Sequence, residues 1–223
     1  MPRKGLQSTV EEYVQTIYRL EERNGMARTK NLAKNLGVKL GTITNTIERL
    51  EEKGLVTHEP YKGVRLTADG QKIAIEVIKK HRLSERLLTD LLNLDWSKVH
   101  ETACRLEHVI DEELVKKLEK ALKNPKTCPH GNPIPKGFGK ASEDGLIPLK
   151  SLDLGIKGTI GKVTNESKEF LKYLDSMNLK LGSLIEVKEK NDNSLLIKSY
   201  ETTFRLNKDI ASEIWVKPEK GRN

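Results

Sequence analysis

Residues 28–66 read RTKNLAKNLGVKLGTITNTIERLEEKGLVTHEPYKGVRL, and their spacing decides the fold of the N-terminal part of the chain. Leu32 and Leu36 lie one helical turn apart, and Ile43, Ile47 and Leu50 repeat the same face. Gly37 between them supplies the left-handed backbone that a short interhelical turn needs. After Leu50, two strand-like runs meet at Lys62-Gly63, which predicts a hairpin, and Thr67 predicts the cap of another helix. Helix, turn, helix and hairpin in that order make a winged helix-turn-helix. Such a fold places its second helix in the major groove and its hairpin against the backbone. The candidate DNA contacts are Arg28, Lys39, Thr42, Thr44, Asn45, Arg49 and Lys62. Asn reads adenine, Thr meets a thymine methyl or a phosphate, and the cations meet phosphates. Charge agrees: between residues 28 and 49, Arg28, Lys30, Lys34, Lys39 and Arg49 stand against Glu48 alone, in a chain of net charge +8. The alternative for the same pattern is a protein-interaction module.

Working outward, Tyr13, Ile17 and Leu20 share one face of a preceding helix, so residues 1–75 form one block, a winged-helix DNA-binding domain. Residues 76–124 read as two long helices forming a dimerisation and metal-binding block. Residues 125–150 hold Pro125, Pro129, Pro133, Pro135 and Pro148 and read as a linker. Residues 151–223 read as a small strand-rich domain. Its expected elements are strands at 158–163, 184–187, 195–198 and 214–216 and a helix at 166–174. The fold class is therefore mostly α with a small β part. An aromatic content of 4% argues against a base-stacking platform, and two cysteines, Cys104 and Cys128, do not make a disulfide framework. No apolar run reaches the roughly 20 residues needed to span a bilayer, and no apolar stretch follows Met-Pro-Arg-Lys-Gly. A cytoplasmic protein with no membrane partner is expected.

The middle block carries metal-ligand chemistry. His81 and Glu85 are four apart, and His100, Cys104 and His108 repeat that spacing with Glu107 beside them, so each set is expected along one helical stripe. Imidazole, thiol and carboxylate together suit borderline divalent metals: Fe(II), Mn(II), Co(II), Ni(II) or Zn(II). Each residue alone is an ordinary surface or core side chain; their gathering on adjacent faces is the signal. His100-Glu-Thr-Ala-Cys104 fails the His-Glu-x-x-His pattern of a zinc hydrolase at its last position, and neither a Gly-rich phosphate loop nor a Ser-His-Asp set is visible. An enzyme is therefore not expected. Cys128, beside Pro129 and His130 in a flexible stretch, reads as an ordinary exposed thiol, with adventitious metal binding the alternative.

The stretches 81–90 (HRLSERLLTD) and 98–108 (KVHETACRLEH), with Glu11-Glu12-Tyr13 and 131–135 (GNPIP), resemble the diphtheria toxin repressor family of iron- and manganese-dependent transcriptional repressors. The resemblance covers nearly the whole chain. It implies a primary metal site of Glu12, Cys104, Glu107 and His108, where Glu12 replaces the founding member's Met and the manganese branch has Asp. It implies an ancillary site of His81, Glu85 and His100, completed by Glu166 and Glu169 of a C-terminal SH3-like (FeoA-like) barrel. In such proteins that barrel can also take the proline segment, here around 129–135. Fe(II) is the metal favoured by this donor set, with Mn(II) the alternative. The partners implied are a second copy of the chain in a homodimer and a palindromic double-stranded DNA operator. A metal joining the DNA-binding block to the dimerisation block would select the DNA-competent state. Competing readings are a metal-independent winged-helix regulator and a metal-dependent hydrolase. Leu87, Leu88, Leu91, Leu92, Val109, Ile110 and Leu114 are to be divided between core and dimer surface.

Overall fold

A computed structural model describes residues 3–137 and 145–219. The chain divides into two compact units. One holds the residues up to His81 together with Leu106–Ile110; the other holds Arg82–Arg105, Asp111–Ile134 and the described C-terminal residues.

The first unit is a winged helix. Helix α1 (Arg3–Asn24) buries Tyr13, Val14, Ile17 and Leu20. Helix α2 (Thr29–Leu36) ends at Gly37, whose φ of 65° is left-handed and whose N–H donates to the Ala33 carbonyl. Helix α3 (Leu40–Glu52) buries Ile43, Ile47 and Leu50 against the same core. Strands β1 (Val56–Glu59) and β2 (Gly63–Leu66) pair antiparallel from Val56↔Leu66 to Glu59↔Gly63, with Tyr61 fully exposed at the tip. The hairpin is tied down: Val64 and Ala27 exchange backbone hydrogen bonds, and the Leu66 N–H donates to the Glu21 carboxylate of α1 at 3.2 Å. Thr67 Oγ1 accepts from the Gly70 N–H at 3.2 Å, capping α4 (Ala68–Arg86) as its position in the sequence predicts. Helix α4 runs unbroken through residue 75.

The residues after α4 depart from two long helices. A π turn (Leu87–Leu91) closes α4, a 3₁₀ turn (Trp96–Lys98) follows, and α5 (His100–Leu106) is short. Glu107, His108 and Val109 lie in a turn beyond it, with the Val109 and Ile110 N–H groups donating to the Leu106 carbonyl. The single stripe expected for His100, Cys104 and His108 is therefore broken. The cause lies just downstream: Ile110 is buried and Asp111 takes the N-cap of α6 (Glu112–Ala121), accepting from the Leu114 N–H at 2.8 Å, so a new helix starts where the old one would continue. Among the apolar residues listed from the sequence, Leu88 and Ile110 go to the core, while Leu91, Leu92, Val109 and Leu114 stay exposed.

The C-terminal part is an SH3-like barrel. Its strands are β3 (Ile147–Pro148), β4 (Lys157–Val163), β5 (Leu184–Lys190), β6 (Ser194–Ser199), β7 (Thr202–Asn207) and β8 (Ile214–Pro218). They form one antiparallel sheet in the order β3-β8-β4-β5-β6-β7. Helices α7 (Lys168–Ser176) and α8 (Lys208–Glu213) help cover a core that includes Ile160, Leu171, Leu174, Ile197 and Val216. Helix α7 starts at Lys168 because Ser167 caps it, which leaves Glu166 outside the helix. Strands β3 and β7 and helix α8 are absent from the sequence expectation; Phe204 and Leu206 alone face inward on β7, too sparse a pattern to announce a strand.

Much of the expected linker is built into this unit. The Val163 N–H donates to the His130 carbonyl at 2.8 Å, and Asn132 Nδ2 donates to the Val163 carbonyl at 3.0 Å. Arg86 Nε donates to the Thr127 carbonyl at 2.7 Å, and Arg82 donates to the Pro133 carbonyl. Gly131 has a φ of 83°, and a Cβ there would stand 2.1 Å from the Gly161 carbonyl oxygen, so only glycine lets the loop lie this close to β4. Residues 138–144 of the expected linker lie outside the described residues. Among the described residues no helix is long and apolar enough to cross a membrane.

Candidate functional site

The winged helix presents its candidate DNA contacts outward. Arg28, Lys39, Thr42, Thr44, Asn45, Arg49 and Lys62 are all exposed. Thr44 Oγ1 donates back to the Leu40 carbonyl at 3.2 Å. Lys62, on the wing, lies 3.1 Å from Glu59. An exposed helix face of cations, Asn and Thr, backed by a core of Ile43, Ile47 and Leu50, is a surface suited to a groove of DNA.

Within the same unit, imidazoles and carboxylates gather. His108 Nδ1 lies 2.7 Å from Glu11 Oε2, and its Nε2 lies 3.6 Å from Glu107 Oε1. A carboxylate accepts, so the shorter contact assigns the proton of a neutral His108 to Nδ1 and leaves the lone pair on Nε2, beside Glu107. Glu107 is buried; its Oε2 lies 2.5 Å from His81 Nδ1 and accepts from Gln15 Nε2 at 3.5 Å. The structure thus brings Glu107 and His108 together and adds His81, Gln15 and Glu11. Glu12 is exposed on α1, and the acid that meets His108 is its neighbour Glu11. Helical periodicity holds the signal for Glu11: its position, like those of Val14 and Gln15, falls on the buried face of α1.

The second unit holds a denser cluster. His100 Nδ1 lies 3.5 Å from Glu85 Oε1 and 3.1 Å from Glu166 Oε2, and its Nε2 lies 3.7 Å from Cys104 Sγ. His130 Nδ1 lies 3.3 Å from Glu85 Oε1, 3.8 Å from Glu166 Oε1 and 3.8 Å from Cys128 Sγ. One ligand atom each from Glu85, Cys128, His130 and Glu166 lies within 4.8 Å of all the others. The expected exposed thiol is thus a correction: Cys128 is completely buried, because the loop that carries it packs under Arg86 and onto β4 rather than hanging free. Glu169 is exposed on the first turn of α7 and shares with Glu166 the lining of a cleft of about 350 Å³, along with Ser97, Lys98, His100 and Glu101.

The electrostatics of this cluster call for positive charge. Burial alone lowers the pKa of His130, but the bond to Cys128 and the carboxylates of Glu85 and Glu166 outweigh it and push the imidazole up to about 11. His100 is likewise pushed up to about 11, burial being outweighed by Cys104, Glu166 and Glu85. Burial, reinforced by Glu85, raises the Cys128 thiol, while the bond to His130 opposes this. A buried carboxylate, Glu85, and a partly buried one, Glu166, sharing two imidazoles and a thiol fit a divalent cation, which would replace the protons on binding. Cys128 and His130 were expected at most to bind metal adventitiously, and their place beside Glu85 and Glu166 was not expected from the sequence. The signal was Cys-Pro-His, a thiol and an imidazole two residues apart ahead of a glycine that turns the chain.

Comparison with known proteins agrees with this architecture. Residues 5–64 match the family model "Iron dependent repressor, N-terminal DNA binding domain". Residues 67–136 match "Iron dependent repressor, metal binding and dimerisation domain", and residues 147–218 match the FeoA domain. The diphtheria toxin repressor of Corynebacterium diphtheriae is 33% identical over 222 residues, covering 95% of this chain and 97% of its own. The iron-dependent repressor IdeR of Mycobacterium tuberculosis is 43% identical over 157 residues, covering 67% of this chain and 68% of its own. A solved manganese-dependent transcriptional repressor in complex with manganese superposes with a TM-score of 0.85 at 30% identity, covering 93% of this chain and 99% of its own.

Proposed function

The chain belongs to the iron-dependent repressor family, whose members are DNA-binding transcriptional repressors and not enzymes, and from that membership we propose that it is an Fe(II)-responsive repressor of metal-homeostasis genes acting as a cytoplasmic homodimer on a palindromic operator. The observation that carries the metal reading is the group of buried Glu85, Cys128 and His130 with partly buried Glu166, whose donor atoms lie within 4.8 Å of one another. A buried carboxylate is costly, and Glu85, with the partly buried Glu166 and a thiol beside it, is compensated by a cation. The DNA reading rests on the exposed face of α3, and the dimer reading on exposed Leu91, Leu92, Val109 and Leu114 in a chain matching a dimerisation domain.

The primary ligands proposed are Glu12, Cys104, Glu107 and His108, with Glu11 orienting His108. The ancillary ligands proposed are His81, Glu85, His100, Glu166 and Glu169, and Cys128 and His130 join that set on the strength of their burial beside Glu85. The proposed blocks are a winged helix to residue 75, metal-binding and dimerisation helices from 76 to 124, a proline-rich segment from 125 to 150 and the SH3-like domain beyond; the matched regions 5–64, 67–136 and 147–218 support this order of blocks, though the second begins before residue 76 and runs past 124. Fe(II) is favoured over Mn(II) because two thiols stand among the donors, and thiolate and imidazole suit iron better than they suit oxygen-preferring manganese. The relatives include both kinds, an iron-dependent and a manganese-dependent repressor. Metal binding selects the DNA-competent state, and a tenfold gain in DNA affinity needs about 1.4 kcal/mol of coupling.

The test is DNA retardation with the full chain, anaerobically, against Fe(II), Mn(II) and a chelator. Retardation that requires metal and is reached at lower Fe(II) than Mn(II) supports the proposal, and Cys104→Ala abolishes the metal response. Retardation indifferent to the chelator favours a metal-independent regulator.

A further inference from the structure

Trp96 lies beside the buried cluster without being able to ligate a metal. Its main-chain carbonyl lies 2.9 Å from His130 Nε2. A carbonyl only accepts, so Nε2 carries the proton, and the lone pair of neutral His130 is on Nδ1, the nitrogen that faces Glu85 at 3.3 Å and Cys128 at 3.8 Å. The indole ring stacks on the imidazole with centroids 5.6 Å apart and planes 29° apart, fixing the ring orientation as well as the tautomer. Trp96 is itself anchored twice. Asp95 caps the 3₁₀ turn that starts at Trp96, accepting from the Ser97 N–H at 2.9 Å. The indole N–H donates to both carboxylate oxygens of Asp175, at 3.0 Å each. Asp175 is on α7, whose Leu171 and Leu174 are part of the core of the C-terminal barrel.

We propose that Trp96 is a positioning residue for His130 and Asp175 its anchor, so that the C-terminal barrel, through α7, sets the metal affinity of the site made by Glu85, Cys128, His130 and Glu166. The inference rests on the proposed metal reading of that cluster. A His held in the wrong tautomer or rotated out of plane offers the metal an N–H instead of a lone pair, and losing such an outer partner typically costs 10–100-fold in affinity. Asp175 supplies neither a ligand nor a contact to one; its effect runs through the indole and the residue 96 carbonyl.

The experiment uses the full-length Cys104→Ser protein, in which thiolate-to-Co(II) charge-transfer absorption can arise only at Cys128. Co(II) titration gives affinity and spectrum together. Asp175→Leu removes the acceptor and Trp96→Phe removes the donor while keeping a stacking ring. Each is expected to weaken Co(II) binding about tenfold or more. The double variant is expected to be no weaker than the worse single, because both break one bond. Asp175→Asn, whose amide oxygen still accepts the indole N–H, restores the parental affinity and band. Parental Co(II) binding in both Asp175→Leu and Trp96→Phe overturns the proposal, and so does failure of Asp175→Asn to rescue. Should Cys104→Ser and Cys104→Ser/Cys128→Ser give the same Co(II) spectrum, Cys128 is not a ligand and the four-residue site on which the proposal rests fails. That failure is separate from the Trp96 result and leaves the DNA-retardation test untouched.

Discussion

At the scale of the residue, Glu21 shows how a single carboxyl serves the fold at a cost that depends on pH. It takes the Leu66 N–H from the wing, and burial raises its pKa above the usual value despite that bond and the nearby charge of Arg65. A carboxyl whose folded pKa is raised contributes stability that is complete below its unfolded pKa and lost as pH rises through the folded one. Glu21→Gln keeps an oxygen for the Leu66 N–H and removes the ionisation. The variant is expected to resist denaturant better than the parent at pH 7, with the difference closing as pH falls toward 4. A denaturant series at several pH values checks this, and a gap that widens on acidification defeats it. Other single residues were legible to different degrees. Glu85, His100 and Cys104 announced themselves by spacing, and the structure clusters His100 with Glu85 and, through its other nitrogen, with Cys104. Glu11 is separated from Glu12 only by helical periodicity, which puts it with Val14 and Gln15 on the buried face of α1. Cys128 and His130 did not announce themselves, because what places them is a loop held by Gly131 against Gly161, a contact between residues thirty positions apart with no local periodicity.

Elements were legible where one pattern dominates and illegible where a neighbour overrides it. Helices α2 and α3 follow directly from their apolar spacing, and the Gly37 turn takes the left-handed backbone expected of it. Helix α5 is shorter than its ligand spacing suggested, because the Asp111 cap and the burial of Ile110 start α6 early. Strand β7 was invisible because only two of its residues, Phe204 and Leu206, are apolar, too few to establish an alternation, while β6, to which it pairs, carries the buried Leu195 and Ile197. Thr67 is the element-scale counterpart of Glu21. Its hydroxyl donates to the Gly54 carbonyl at 2.7 Å and accepts from the Gly70 N–H at 3.2 Å, joining the end of the recognition-helix turn to the start of α4. Thr67→Ala is expected to cost about 1 kcal/mol, the usual worth of an N-cap, and Thr67→Ser to recover most of it. Unfolding midpoints of the three proteins decide the matter; an alanine variant as stable as the parent removes the cap from the account.

For the molecule as a whole, the proposed DNA contacts divide recognition and affinity between two surfaces of the winged helix. Asn45 stands on the exposed face of α3, where an amide can meet an adenine edge with two bonds, whereas Lys62 stands on the wing with a phosphate as its natural partner. These roles separate experimentally. Asn45→Ala is expected to lose about 1–3 kcal/mol of discrimination at the base pair it reads, relaxing sequence choice there while leaving binding to unrelated DNA nearly unchanged. Lys62→Ala is expected to weaken specific and unrelated DNA alike. It also lowers the slope of log affinity against log salt by about 0.9 for each phosphate released, hence by roughly two for a dimer. The ion pair of Lys62 with Glu59 at 3.1 Å is exposed, so its loss costs the free protein little and the change in slope is carried by DNA. Affinity measured at several salt concentrations, on an operator and on a scrambled duplex, separates the two outcomes. A specificity change from Lys62→Ala, or an unaltered salt slope, would show that the wing does not lie along the backbone.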